Sequence, residues 1–276
     1  MIYLVISMRS VRLLTRSLAA ALVAVCCASS STHTPTSDSL KVYPGFDIWK
    51  YPGEDALRAW REASPYQWIG YYLPSPCRRD SSWIGKRKAI KEMGYGFAVV
   101  YMGQQVFEHM PAENDLPPER IICSRSLLTP KQGRLDARDA IAGATREGFP
   151  KKTTIFLNVE LVSDVSDSLA AYYRAWMKEV LRDGTYLPGT YAHRENAADL
   201  FEVASKVYRQ AGRSDEPSFW VAGSSGFSLE SSPKDVGLPF ADIWQGTHNV
   251  ERTWGDVTLR IDENVATRSS PSQFGR

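Results

Sequence analysis

Thr154-Ile155-Phe156-Leu157-Asn158-Val159-Glu160 is an apolar, strand-like run that closes on a carboxylate. A charge at the buried end of a strand is costly unless it has a partner or a task. Two further runs carry the same mark. Pro44-Gly45-Phe46-Asp47-Ile48-Trp49 lies near the start of the folded part, and Val257-Thr258-Leu259-Arg260-Ile261-Asp262 near its end. Three acids on three separate strands suggest acidic groups converging on one rim of a barrel.

Working outward, apolar runs alternate with helical patterns. Strands are expected at Gly45–Trp49, Trp68–Leu73, Gly96–Met102, Thr154–Glu160, Gly189–His193, Phe219–Ala222, Ala241–Gln245 and Val257–Ile261. Helices are expected at Asp55–Ala63, Ser82–Met93, Asp136–Glu147, Asp164–Leu181 and Asn196–Ala211, with Asp164 and Ser166 as N-caps. This alternation predicts a single-domain α/β fold, a (β/α)8 TIM-like barrel whose last two units are too short for full helices. A doubly wound open sheet is the rival, because alternation alone does not close a sheet. The connection Gln104–Thr129, with Pro111, Pro117 and Pro118, is long for a loop without a task.

The 276 residues are 43% hydrophobic and 23% charged, ordinary globular values. Arg9, Arg12 and Arg16 precede the apolar run Ser17–Ala28, the pattern of a secretory signal. Without those arginines the formal charge of +2 falls to near neutral, which offers no footprint for nucleic acid. The expected organisation is a signal peptide over 1–30, a polar tether over 31–42, a barrel over 43–265 and a disordered tail over 266–276. An uncleaved anchor, or a lipid on Cys26 or Cys27, are the alternatives to cleavage. All place the chain outside the cytoplasm, secreted or in the cell envelope. Export favours a bridge between the two remaining cysteines, Cys77 and Cys123; two buried thiols are the alternative. No CxxC or Cys/His cluster suggests zinc, no glycine pattern suggests a nucleotide, and no cofactor is expected. Gly223-Ser224-Ser225-Gly226 is not a nucleophile elbow. His109, His193 and His248 lack ligand spacing and read as surface or hydrogen-bonded residues.

In an α/β barrel the site lies at the carboxyl ends of the strands. Each acid alone also reads as a helix cap; their shared placement argues for chemistry. Glycoside hydrolysis needs an acid for the leaving oxygen and a second group to stabilise or attack the oxocarbenium ion. Glu160, following Phe156 and Val159, is the candidate acid, its proton affinity raised by aromatic surroundings. Asp47 and Asp262 are its candidate electrostatic partners. Sugars present flat CH faces to aromatic rings. Tyr71, Tyr72, Tyr101, Tyr191, Trp220 and Trp244 lie on or at the ends of strands, where they read equally well as core. Gln104 and Gln245 follow strands and suit hydroxyl or acetamido groups.

Taken in order, Gly45-Phe46-Asp47, Ala59-Trp60, Ser64-Pro65-Tyr66, Ile69-Gly70-Tyr71-Tyr72 and Ile155-Phe156-Leu157-Asn158-Val159-Glu160 form a longer signature. It continues through Tyr173, Trp176, Pro188-Gly189-Thr190-Tyr191, Phe219-Trp220-Val221-Ala222, Ile243-Trp244-Gln245 and Ile261-Asp262-Glu263-Asn264. This set resembles the secreted bacterial glycoside-hydrolase-like domain, once a domain of unknown function, whose barrel is related to the Chalaropsis-type lysozymes. The resemblance implies a TIM-like barrel with a site at its strand ends. In those lysozymes the fourth strand ends in Asp-x-Glu; the glutamate corresponds to Glu160, and the first- and last-strand aspartates to Asp47 and Asp262. Here the first acid of that motif is Asn158, which brings no negative charge but can orient a substrate acetamido group. The expected partner is therefore a cell-wall polysaccharide or peptidoglycan. Two activities follow: hydrolysis by Glu160, or a weak or inactive barrel that binds glycan or a cell-surface partner.

Overall fold

The computed structural model describes residues 41–78, 80–106 and 123–273. The signal segment, nearly all of the tether, Cys26, Cys27, His109, Pro111, Pro117, Pro118 and residues 274–276 lie outside them. The strands are β1 (Tyr43–Asp47), β2 (Trp68–Tyr72), β3 (Gly96–Tyr101), β4 (Thr154–Val159), β5 (Leu187–His193), β6 (Ser218–Ala222), β7 (Ala241–Trp254) and β8 (Val257–Ala266). The helices are α1 (Glu54–Ala63), α2 (Arg87–Glu92), α3 (Pro130–Arg146), α4 (Asp167–Asp183) and α5 (Arg194–Gln210). The strands close in sequence order into one eight-stranded barrel, so the chain is a TIM-like α/β barrel and not an open sheet.

Strand alternation divides the apolar side chains into two cores. Trp68, Ala98, Val100, Phe156, Tyr191, Trp220, Ala222, Ile243 and Ala266 fill the barrel. Their neighbours one residue away, such as Ile69, Tyr71, Val99, Leu157 and Val221, pack outward against the helices. Three aromatic rings, Trp68, Phe156 and Tyr191, meet Trp220 edge to face inside the barrel. So much ring volume fits because small residues face it: a Cβ on Gly70 would lie 2.5 Å from the Cβ of Asp47.

Local chemistry sets the helix starts. Thr129 caps α3 through Gln132, with Pro130 in the first turn, so the helix begins six residues before the expected Asp136. Ser166, not Asp164, caps α4 by accepting from the Leu169 amide, and Gly184 ends it at φ 77°. The expected helix over Ser82–Met93 shortens to α2, preceded by a turn.

The last units depart from the parallel pattern. Residues 223–240 hold only a 3-10 turn, Pro233–Val236, closed by a reciprocal Ser232–Asp235 cap. β7 then runs past the rim and returns as β8, antiparallel to both β7 and β1. The turn is Gly255-Asp256, with φ of 55° and 61°. Two positive φ values define the primed turn that matches strand twist in a hairpin. Trp60 of α1 braces this hairpin by donating Nε1–H to the Val257 carbonyl at 2.9 Å. The expected tail is no loose end either. Ser272 accepts from the Val99 and Thr154 amides at 2.7 Å and donates its own amide to Phe97 at 2.8 Å. The buried amides at the starts of β3 and β4 need acceptors, and this segment supplies them.

Candidate functional site

Asp47 ends β1 facing into the barrel mouth and is 3% exposed. Its Oδ1 accepts from Tyr72 Oη at 2.6 Å, and its Oδ2 accepts from Gln245 Nε2 and Asn264 Nδ2, both at 2.9 Å. Burial first, and the charge of Asp262 second, push the Asp47 carboxyl up to about 7; the three donated hydrogen bonds oppose the rise. Gln245 and Asn264 present N–H groups, and the Tyr72 hydroxyl can donate or accept. The hydrogen bonds favour the carboxylate, and burial with the Asp262 charge outweighs them, so the proton is held further up the pH scale than on a free aspartate.

Asp262 was expected at the carboxyl end of the last strand. Instead β8 is inverted and continues to Ala266, so Asp262 sits where the strand enters the barrel from the hairpin above. An antiparallel strand begins at the rim where parallel strands finish, and Asp262 reaches the same mouth by the opposite direction. It pairs with Asp47 in register. Its Oδ2 accepts from Gln245 Nε2 at 3.1 Å and its Oδ1 from the Asn249 amide at 2.7 Å. His248 Nδ1 lies 3.6 Å from Oδ2. The adjacent Asp262 carboxylate raises the His248 imidazole above its ordinary value, in spite of partial burial, and the charges of Asp47 and Glu160 add to the rise.

Glu160 follows β4. Asn158 Nδ2 donates to its Oε1 at 3.1 Å, and His193 Nε2 lies 3.3 Å from its Oε2. The carboxylate thus meets an amide and an imidazole, not the aromatic pocket that Phe156 and Val159 suggested; alternation turns Phe156 to the barrel floor and Val159 to the helices. Gln105 clips the strand end, donating Nε2–H to the Asn158 carbonyl at 2.9 Å and accepting from the Glu160 amide at 3.2 Å. Asn158 is 8% exposed, and its Oδ1 has no partner.

The remaining expected contacts divide by strand face. Tyr191 donates to Gln245 Oε1 at 2.6 Å, and Trp220 donates Nε1–H to Asn264 Oδ1 at 2.8 Å. Both lie beneath the acids as buried supports, with Trp220 1% exposed. Burial and the charges of Glu160, Asp47 and Asp262 hold the Tyr191 hydroxyl well above its ordinary value. Tyr71 points away from the mouth and bonds the Trp83 carbonyl and Glu147 between barrel and helices. Tyr101 likewise faces α3 and bonds Asp139 at 3.0 Å. Gln104 accepts from the Ser124 amide at 3.0 Å, and its own amide donates to Tyr172 Oη. Tyr71, Tyr101 and Gln104 are therefore not lining residues. Each is displaced by one position from a residue that is at the mouth or beside it: Tyr72, Met102 and Gln105.

A cleft of about 680 Å³ opens above Asp47 and Asp262, walled by Trp49, Tyr72, Asn249, Lys50 and Arg260. Behind it lies Arg78, fully buried, its guanidinium 4.7 Å from the Trp49 ring centroid and 4.3 Å from that of Tyr72. It donates to the Trp49 carbonyl and to Asp80. The adjacent Cys77 is bridged to Cys123, with Cα atoms 4.8 Å apart. Gln105 and Arg78 belong to the site with no signal in the sequence; Asn264 stood only within the longer signature, and His193, expected as a surface or hydrogen-bonded residue, is bonded to Glu160.

A closed α/β barrel with acids at its mouth is compatible with a glycoside-hydrolase-like protein, and the family comparison shows that class. The chain belongs to the Rv2525c-like, glycoside hydrolase-like domain family, whose pattern matches residues 58–266. No curated protein matches it in sequence. Among solved structures it resembles an uncharacterized protein of B. stearothermophilus, with TM-score 0.54 and 20% identity over 81% of this chain and 95% of that one. It also resembles GHIP, a glycosyl hydrolase 25 of Streptococcus pneumoniae, with TM-score 0.52 and 14% identity over 83% and 88% of the two chains. The modular autolysin LytC of Streptococcus pneumoniae, solved with a synthetic peptidoglycan ligand, gives TM-score 0.51 and 14% identity over 81% of this chain and 46% of that one. At these identities the likeness is one of fold. Among the described residues no helix is long and apolar enough to cross a membrane, and no group of three or more ligating side chains is placed to hold a metal ion.

Proposed function

We propose that this chain is an exported glycoside hydrolase of N-acetylated cell-wall glycan, with Glu160 as general acid. The observation that supports the reading is a chain of contacts joining three acids: Gln245 donates to both Asp47 and Asp262 and accepts from Tyr191, which is level with Asn158, the donor to Glu160. In this reading Glu160 protonates the glycosidic oxygen as the bond to the sugar carbon breaks. Asp47 and Asp262 stabilise the positive charge that develops on the ring. The unpartnered Asn158 Oδ1 accepts the N–H of the substrate's acetamido group, turning its carbonyl oxygen toward the sugar carbon. The peptidoglycan ligand of LytC supports the substrate class by analogy of fold.

The test is release of reducing ends from purified peptidoglycan and a panel of wall polysaccharides by the mature protein and by Glu160→Gln. The expected result is cleavage that falls about 100-fold or more in the variant, with folding intact. Turnover unchanged in Glu160→Gln removes Glu160 from the mechanism. Asn158 favours a second reading, a barrel that binds glycan without cutting it, because an amide beside Glu160 adds no charge to stabilise an oxocarbenium ion. Saturable binding without reducing ends is its signature.

A further inference from the structure

We infer that His193 and Glu160 act as a proton-sharing pair, in which His193 is the positioning residue that holds the proton Glu160 delivers. Its chemistry rests on the glycan reading above; its geometry does not.

Strand register makes the pair. Asn158 is level with Tyr191 and Val159 with Ala192, so the next residues on β4 and β5, Glu160 and His193, stand side by side. Tyr191 and His193 share the inward face, their rings meeting edge to face at 5.9 Å. Glu160 has two carboxylate oxygens and each has its own neighbour: Asn158 Nδ2 at Oε1, His193 Nε2 at Oε2. The backbone on either side is held as well, by Gln105 at the Glu160 amide and by Asn196 of α5 at its carbonyl. Turning the carboxylate away would cost it one or both of these contacts.

A carboxylate at position 158 would make Glu160 hold its proton more tightly through like-charge repulsion. Asn158 cannot. An imidazole within hydrogen-bond reach works differently: it does not force the proton onto the carboxyl, but gives the proton of the pair a second seat, His193 Nε2, 3.3 Å from Glu160 Oε2. Among the described residues, Tyr191 on β5 and His248 across the mouth are titratable groups on which the Glu160 charge acts, together with the charges of Asp47 and Asp262. Arg194 turns away, its side chain lying against Gly223 and Gly237. In the reaction, the shared proton passes to the glycosidic oxygen as the C–O bond breaks and its electron pair leaves with that oxygen. Glu160 remains as carboxylate and His193 as neutral imidazole; the water that completes hydrolysis returns a proton to the pair.

The experiment reads the ring protons of His193 by 15N shifts at alkaline pH, in the wild type and in Glu160→Gln. The wild type is expected to hold its proton on Nε2, directed at the carboxylate. In the variant Asn158 still donates to the side-chain oxygen, which turns the new amide N–H toward His193. Its Nε2 must then accept, and the proton moves to Nδ1. The same tautomer in both proteins overturns the inference. A second arm compares glycan cleavage by wild type and His193→Gln. The variant should lose about tenfold more activity at pH 7.5 than at pH 5, where solvent protons are plentiful and a relay matters less; an equal loss at both overturns the role. If the wild type cleaves nothing, the glycan reading fails, while the tautomer result stands or falls alone.

Discussion

Asp47 and Asp262 face each other across the antiparallel β1–β8 pair, and a single amide, Gln245 Nε2, donates to both at 2.9 and 3.1 Å. The other end of that side chain accepts from Tyr191. Two like charges at a buried mouth are tolerable only while such donors persist.

Replacing Gln245 with Leu should therefore cost about 2–3 kcal/mol in urea unfolding at pH 7, and less at pH 4.5, where Asp47 carries a proton. A wild-type urea midpoint would dismiss Gln245 as the bridge.

Asp47 also shapes stability against pH. Its carboxyl is raised from 3.8 to about 7 in the fold, by burial first and by Asp262 second. The folded state then holds a proton that the unfolded chain has released. Stability from this group is greatest below about pH 4 and declines until the pH passes about 7. Glu263 titrates in the opposite sense, lowered against its burial by Arg252, Tyr66 and Thr247. The effect is thus read as a difference: thermal midpoints from pH 4 to 8 should fall more steeply in the wild type than in Asp47→Asn. Parallel curves would remove Asp47 as the source.

Gly70 is an independent handle on the same carboxylate. An added Cβ would lie 2.5 Å from the Cβ of Asp47 and 3.5 Å from the Trp220 ring. Gly70→Ala should cost about 1–3 kcal/mol and displace Asp47 from Tyr72. Gly143→Ala on α3, with its nearest neighbours at 3.8 Å, should be neutral or stabilise by about 0.5–1 kcal/mol. Equal costs at both positions would contradict the packing described.

The Cys77–Cys123 bridge closes a span of 46 residues beside Arg78. Its loss, by reduction or in a Cys77→Ser/Cys123→Ser double variant, should lower unfolding free energy by about 2–4 kcal/mol. Arg78→Leu should also destabilise, because Asp80 loses its cationic partner and keeps only Ser82, and the Trp49 carbonyl keeps only Trp83 Nε1–H. Thermal melts with and without reductant separate the two effects; a reductant-insensitive midpoint argues against the bridge.

Much of the architecture was legible in pattern. Eight apolar runs fell on eight strands, and Ser166 announced its own helix. The hairpin was legible too, in Gly255-Asp256 between two β-rich runs, but an expectation of parallel strands passed over it. The lining residues were harder. Tyr71 and Tyr72 have the same chemistry in sequence, and only strand phase sends one to Glu147 and the other to Asp47. Position 104 against 105 is the same ambiguity in a loop.

What the amino-acid order determined alone was local: which runs are extended, where helices are capped, and that Glu160, Asp47 and Asp262 each leave or enter a strand at a place where a charge needs a reason. Those properties depend on residues a few positions apart. Tertiary structure decided the rest, because closure brings together groups separated by most of the chain. Asn264 reaches Asp47 across 217 residues and Gln245 across 198. The direction of β8, the pairing of Glu160 with His193 and the burial of Arg78 depend on strand register and barrel closure, which no local pattern encodes.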